Sequence, residues 1–145
     1  MKYVMDGYCG VYCGACPIML ATRAGNLDED QQCFGCKSEK PTRFCATCGI
    51  KACSQRKGYD FCYQCNELES CELMKQFVAD VQYPYGQCVM KNMEIIQAIG
   101  LPQWLEMQDS RWRCQSCGLP HSWYHETCPQ CGQSVADYKA DLPHI

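Results

Sequence analysis

The chain has 145 residues, a formal charge of −3 and sixteen cysteines. Leu, Ile, Val and Phe together number only 24, a fraction at which apolar burial alone rarely supports a fold. That excludes a large hydrophobic core and leaves room for one ordinary domain, or for two small metal-stapled ones. Structural zinc, worth an apparent ~10–16 kcal/mol per site in finger peptides, would supply what the core lacks.

The first residues, Met1 to Asp6, are not followed by an apolar run, so no secretory leader is expected. No stretch approaches the length of a membrane helix. Paired thiols in a reducing cytoplasm ligate metal more often than they oxidise, which makes metal sites the expectation and a disulfide scaffold the lesser one.

Residues 1–90 hold twelve of the cysteines and form the first expected unit, a cysteine-rich metal-binding domain. It opens on Cys9-Gly-Val-Tyr-Cys13-Gly-Ala-Cys16-Pro17. The Cys-x3-Cys-x2-Cys spacing is that of radical S-adenosylmethionine enzymes, but those carry it on a β/α barrel that this length cannot build. Ferredoxin-like ligation of an iron–sulfur cluster needs only one further, remote cysteine. Cys13-Gly-Ala-Cys16 ahead of a helix is also the arrangement of a thioredoxin redox pair, without the βαβ context which that chemistry requires.

A helix is predicted over Pro17 to Ala24, started by the proline and stopped at Gly25. Residues 26–32 read as a solvated acidic loop. Cys33-Phe-Gly-Cys36, Cys45-Ala-Thr-Cys48, Cys53 and Cys62-Tyr-Gln-Cys65 follow. Within this run, Lys37, Lys40, Arg43, Lys51, Arg56 and Lys57 face only Glu39, and are read as cations that offset neighbouring thiolates. A second helix is predicted from Asn66, as its cap, to Val81, with Pro84 barring continuation. Cys71 lies within it, and Cys88 stands apart as the expected free thiol, a small buried hydrophobe.

Residues 91–110 contain no cysteine. Asn92 is the expected cap of a helix that presents Met93, Ile96 and Ile99 and ends at Gly100. Pro102 opens a second helix carrying Trp104, Leu105 and Met107. Together they form a helical hairpin connector. Residues 111–134 are expected to be a separate module, with 135–145 a polar tail.

That module has the sharpest motif in the chain. Cys114-Gln-Ser-Cys117-Gly118 and Cys128-Pro-Gln-Cys131-Gly132 are two knuckles whose glycines permit tight turns with amides facing the sulfurs. The pattern resembles a zinc ribbon. Rubredoxin-type iron sites use similar knuckles, and zinc is preferred because nothing else resembles an electron-transfer domain. His121 and His125 lie between the knuckles and are read as surface residues or as donors behind the ligands, since four cysteines already fill a tetrahedral site.

Two further sets of four are drawn in chain order. Cys13, Cys16, Cys33 and Cys36 make one, with Cys9 as a rival member. Cys48, Cys53, Cys62 and Cys65 make the other, with Cys45 and Cys71 as rivals. About three zinc ions are expected on this count, with an iron–sulfur cluster as the alternative cofactor.

The ordered series Cys9-Gly-x-Tyr-Cys13-Gly-x-Cys16-Pro17, Cys33-x-Gly-Cys36, Cys48-x4-Cys53, Lys57-Gly58, Cys62-x2-Cys65 and Cys71 resembles a prokaryotic family of cysteine-rich proteins catalogued only as a domain of unknown function. The segment from Asn92 through Gly100 to Trp104 and Leu105, ahead of a ribbon, is also similar. The resemblance implies metal binding, zinc in the first place, and a cytoplasmic location. It brings no reaction.

The expected fold is therefore a small, metal-stapled, irregular α+β structure: short helices and loops around four-cysteine sites, a helical hairpin and a C-terminal zinc ribbon. The expected role is a zinc-binding protein with structural sites and a protein-interaction surface. The alternative is an iron–sulfur or thiol redox protein using Cys9–Cys16. Enzymatic activity is not the favoured reading, because no imidazole lies in the N-terminal part to act as a base. The negative charge argues against a nucleic-acid partner.

Overall fold

In a computed structural model, residues 2–142 are described, apart from the side chains of Arg43 and Phe44. His144 and the end of the expected tail lie outside the described residues, as does the Arg43 side chain of the basic stretch.

Six α-helices carry the described chain: α1 (Pro17–Arg23), α2 (Arg43–Ala46), α3 (Gly49–Lys57), α4 (Glu72–Ala79), α5 (Val89–Ile99) and α6 (Leu101–Arg111). Short 3-10 turns link them, at Cys13–Ala15, Cys62–Gln64, Leu68–Ser70 and Pro84–Cys88 among others. The β component of the expected fold is reduced to isolated bridges, Asp6 with Tyr12, Arg113 with Pro120 and Thr127 with Ser134. Among the described residues the fold is mostly helical, because loops as short as these knuckles pair one residue across each turn and no more.

Pro17 opens α1 as expected, and Gly25 follows its end with a positive φ. The Thr22 hydroxyl donates to the Ile18 carbonyl at 2.8 Å and accepts from the Cys33 amide at 3.0 Å. This ties the second Cys-x-x-Cys turn to the helix that follows the first. The predicted 66–81 helix is shorter than expected. Leu68–Ser70 is a 3-10 turn, Cys71 rather than Asn66 occupies the N-cap position of α4, and the helix stops before Asp80, four residues ahead of Pro84. Helix α3 was not foreseen; it runs from Cys48 at its N-cap position to Gly58 in the left-handed region.

The hairpin corrects two expectations. Helix α5 begins at Val89, so Asn92 sits inside it and caps nothing. Its buried amide donates instead to the Gly10 carbonyl and to the Tyr85 hydroxyl, both at 2.9 Å. Met93 and Ile96 are buried as expected, but Ile99 is 40 % exposed. Helix α6 holds Trp104 fully buried, its ring edge-on to Tyr12 at 5.9 Å, while Met107 is 45 % exposed.

One apolar cluster joins these parts: Val11, Tyr12 and Ala15 from the first loop, Ile50, Phe61 and Met74, then Tyr85, Cys88, Val89, Met93 and Ile96, and the three tryptophans Trp104, Trp112 and Trp123. The last comes from the loop between the two C-terminal knuckles. Trp123 stacks on Tyr85 at 4.0 Å with the rings 4° from parallel, and its indole donates to the Tyr12 carbonyl at 3.1 Å. The 111–134 segment, expected to stand apart, thus sends its central loop into the same core as the cysteine-rich part.

Candidate metal centres

The C-terminal site is the most compact. The thiols of Cys114, Cys117, Cys128 and Cys131 all lie within 4.8 Å of one another, with Sγ–Sγ distances of 3.5 Å for Cys114–Cys131 and 3.6 Å for Cys117–Cys128. Each knuckle closes through a backbone bond, from Gly118 N to Cys114 O at 2.9 Å and from Gly132 N to Cys128 O at 3.0 Å. Both glycines have φ near +78°, at +77° and +78°, a conformation in which any side chain would be strained. The turns aim amides at the first sulfur of each pair. The Cys117 and Ser116 amides bring the Cys114 thiol down to about 6, and those of Cys131 and Gln130 lower Cys128. Thiolate stabilised by amides is the form that binds metal.

The histidines between the knuckles are not ligands here. Of the two expected placings, on the surface or behind the ligands as a donor, His121 does not take the first: it is buried, 1 % exposed. Its ring meets the Trp112 ring edge-on at 5.7 Å, and its Nδ1 faces the Ser122 carbonyl at 3.0 Å. His125 Nδ1 accepts from the Ser122 amide at 3.0 Å.

The N-terminal thiols fall into two cavities, and not along the lines that chain order suggests. The first, of about 70 Å³, is lined by seven cysteines, Cys9, Cys13, Cys16, Cys33, Cys36, Cys45 and Cys48. Its remaining walls include Met19, Ile50, Phe77, Tyr83, Trp123 and the Lys51 side chain. The second, of about 120 Å³, is lined by Cys53, Cys62, Cys65 and Cys71, with Ser54, Lys57 and Glu67. Cys48 therefore lines the first cavity, with Cys45, and Cys71 the second. Helix α3 makes this division: Cys48 at its start and Lys51 face one cavity, and Cys53, Ser54 and Lys57 face the other.

Burial governs the first group. Desolvation, then the neighbouring Cys36, pushes the Cys9 thiol far up. The same two causes raise Cys13, with Cys16, Cys9 and Cys33 adding to them. Burial likewise raises Cys16 and Cys36. Cys33 and Cys45 share a hydrogen bond that makes Cys33 the acidic partner, at about 6, and raises Cys45. So many thiols in one dry space ionise together only around a cationic centre.

In the second group, Lys57 Nζ stands 3.7 Å from Cys65 Sγ, and the Cys65 charge raises the lysine. The Glu67 amide donates to the same sulfur at 3.4 Å, and the Ser54 hydroxyl lies 3.7 Å from Cys62 Sγ. Of the basic stretch, Lys51 and Lys57 thus sit beside thiols. Lys37, whose charge also acts on the Cys36 thiol, pairs with Asp6 at 2.8 Å and lies 3.8 Å from the centre of the Phe61 ring. Cys88 lines neither cavity; it is buried, with its thiol 3.8 Å from the Tyr138 carbonyl.

Residues 5–76 match the family model described as Protein of unknown function (DUF3795). The cysteine-rich part is thus similar to that family. The matched span takes in every thiol of the two cavities, Cys9 through Cys71, and stops short of Cys88 and of the C-terminal site. No curated protein and no solved structure matches the chain.

What the sequence did not reveal is the wall of the first cavity. Phe77, Tyr83 and Trp123 reach it from far along the chain, and no local pattern around them signals a site.

Proposed function

We propose that the chain is a zinc-binding protein in which the C-terminal four-cysteine site is a zinc-ribbon centre with a structural role. The observation that carries this reading is the closeness of its sulfurs. Four thiolates at about 2.3 Å from one tetrahedral zinc stand about 3.8 Å apart, and the pairs here lie at 3.5 and 3.6 Å. Four protein ligands leave no open coordination position, which is the pattern of structural rather than catalytic zinc.

A protein partner fits this reading better than a nucleic acid. Four thiolates around one zinc add two negative charges to a chain already at −3, which opposes phosphate contacts. The outward face of the α5–α6 hairpin, where Ile99 and Met107 are exposed, is the surface we assign to such a partner. Among the described residues no helix is long and apolar enough to cross a membrane, and sixteen free thiols suit a reducing, cytoplasmic setting.

The test is zinc analysis of the purified chain together with X-ray absorption at the zinc edge. About one zinc per chain, bound by four sulfurs at about 2.3 Å, is expected, with both the zinc and that signal lost in Cys117→Ser. Zinc-free protein, or zinc bound by nitrogen or oxygen, would overturn the assignment.

A further inference from the structure

We infer that the two N-terminal cavities are iron–sulfur cluster sites, one on each side of α3, rather than single-ion sites. The argument rests on sulfur spacing and is independent of the zinc assignment. Among the described residues, the C-terminal quartet is the only group of three or more possible ligands whose atoms all lie within 4.8 Å of one another. The seven thiols of the first cavity and the four of the second contain no such trio. They surround a space instead of closing on a point.

A single zinc draws its four sulfurs to about 3.8 Å from one another and leaves no void between them. A cluster interposes its own iron and sulfide atoms, so its cysteines stand wider apart around a central volume. The same chain brings one quartet to the first geometry and holds the thiols of the other two groups wider apart. The cavities that these thiols help to line measure about 70 and 120 Å³.

The surroundings agree. Met19, Ile50, Phe77, Tyr83 and Trp123 line the first cavity beside the thiols, an apolar surround of the kind that limits solvent access to a cluster and sets its potential. Donors already point at sulfurs: the Gly35 amide at Cys33 Sγ, 3.3 Å, and the Glu67 amide at Cys65 Sγ, 3.4 Å. Each cavity also has one lysine on its wall, Lys51 in the first and Lys57 in the second, to balance the negative charge of a thiolate-bound cluster. The second cavity supplies the four cysteines that one cluster needs. The first supplies seven, so three of them are free for another use or stand in reserve.

The experiment is anaerobic purification of the full chain, with iron, acid-labile sulfide and zinc measured on the same sample. About eight iron and eight sulfide are expected, four of each per cluster, in a brown protein that gives an electron paramagnetic resonance signal on reduction. If the chain purifies without iron, ferrous iron and sulfide are added under reducing, oxygen-free conditions, and the same content must form.

Cys53→Ser should lose about four iron and four sulfide while keeping its zinc. Colourless protein that resists reconstitution, or zinc near three per chain with no sulfide, overturns the inference. A wild-type content of only about four iron overturns it for one cavity. The wild-type ratio decides the matter even if a variant fails to fold. Because zinc and iron are read separately, failure here is distinguishable from failure of the C-terminal zinc assignment.

Discussion

Asn92 illustrates how a single polar group can set the geometry of a site it never touches. Its amide, buried inside α5, spends both protons on distant partners, the Gly10 carbonyl and the Tyr85 hydroxyl. Gly10 lies between Cys9 and Val11, so this bond holds the first thiol loop against the hairpin. The contact is close: a methyl at Gly10, whose φ is +91°, would lie 2.7 Å from the Val89 carbonyl. Removing the amide leaves the buried Gly10 carbonyl without a donor, at a cost of about 1–3 kcal/mol, while the Tyr85 hydroxyl keeps its bond with the Tyr12 backbone. Asn92→Ala should therefore lower the unfolding free energy by about 1–3 kcal/mol, seen as a lower denaturant midpoint at unchanged slope. A loss under half a kcal/mol would mean that water replaces the amide and that the loop is held by other means. From the sequence, Asn92 reads as a helix cap, since asparagine before an apolar run commonly is one. Tertiary pairing overrides that preference.

At the scale of elements, the helices with punctuation were legible and the others were not. Pro17 and Gly25 bracket α1, and Gly100 with Pro102 marks the corner between α5 and α6. Helix α3 has no such opening: Cys48 sits at its N-cap position with no side-chain cap bond, and only Ile50 and Ser54 are buried. Its nine residues earn their helicity from the cavities on either side, which no periodicity records. The pairing of cysteines was obscure for the same reason. Chain order groups Cys48 with Cys53, and the helix between them sends the two to different cavities.

The polar tail is another element fixed by a contact that the sequence does not announce. Arg111, at the end of α6, grips Asp141 with its Nε at 3.0 and 3.1 Å and donates to the carbonyls of Ala136 and Asp137 at 3.0 and 2.8 Å. Its guanidinium also lies 3.9 Å from the centre of the Trp112 ring. Both charged side chains are partly exposed, at 22 % and 34 %, so solvent screens the pair and its share of global stability is about 1 kcal/mol or less. Its local effect should be larger. In Arg111→Ala, amides of residues 136–142 should exchange with solvent at least tenfold faster while those of α1 and α5 keep their protection. Unchanged exchange in the tail would assign its docking to Tyr138 and its ring contact with Tyr124, at 5.7 Å.

For the whole molecule, the decisive fact is that the C-terminal site and the first cysteine cavity share Trp123. The loop between the knuckles places this ring on the cavity wall. Its backbone amide donates to the Ala15 carbonyl at 3.3 Å and its indole to that of Tyr12, so it clamps the turn that carries Cys13 and Cys16. An apparent ~10–16 kcal/mol of metal binding at one such site matches or exceeds the roughly 5–15 kcal/mol that separates a folded domain from its unfolded chain. Stripping the C-terminal metal should therefore unfold more than residues 111–134. Cys117→Ser, which removes this metal alone, is expected to abolish near-ultraviolet circular dichroism and the amide protection of α1 and α5 together. If the knuckles alone lost protection while α1 and α5 stayed shielded, the C-terminal segment would be an independent unit. Trp123 would then be a passive filler of the core rather than the link through which metal at one end organises thiols at the other.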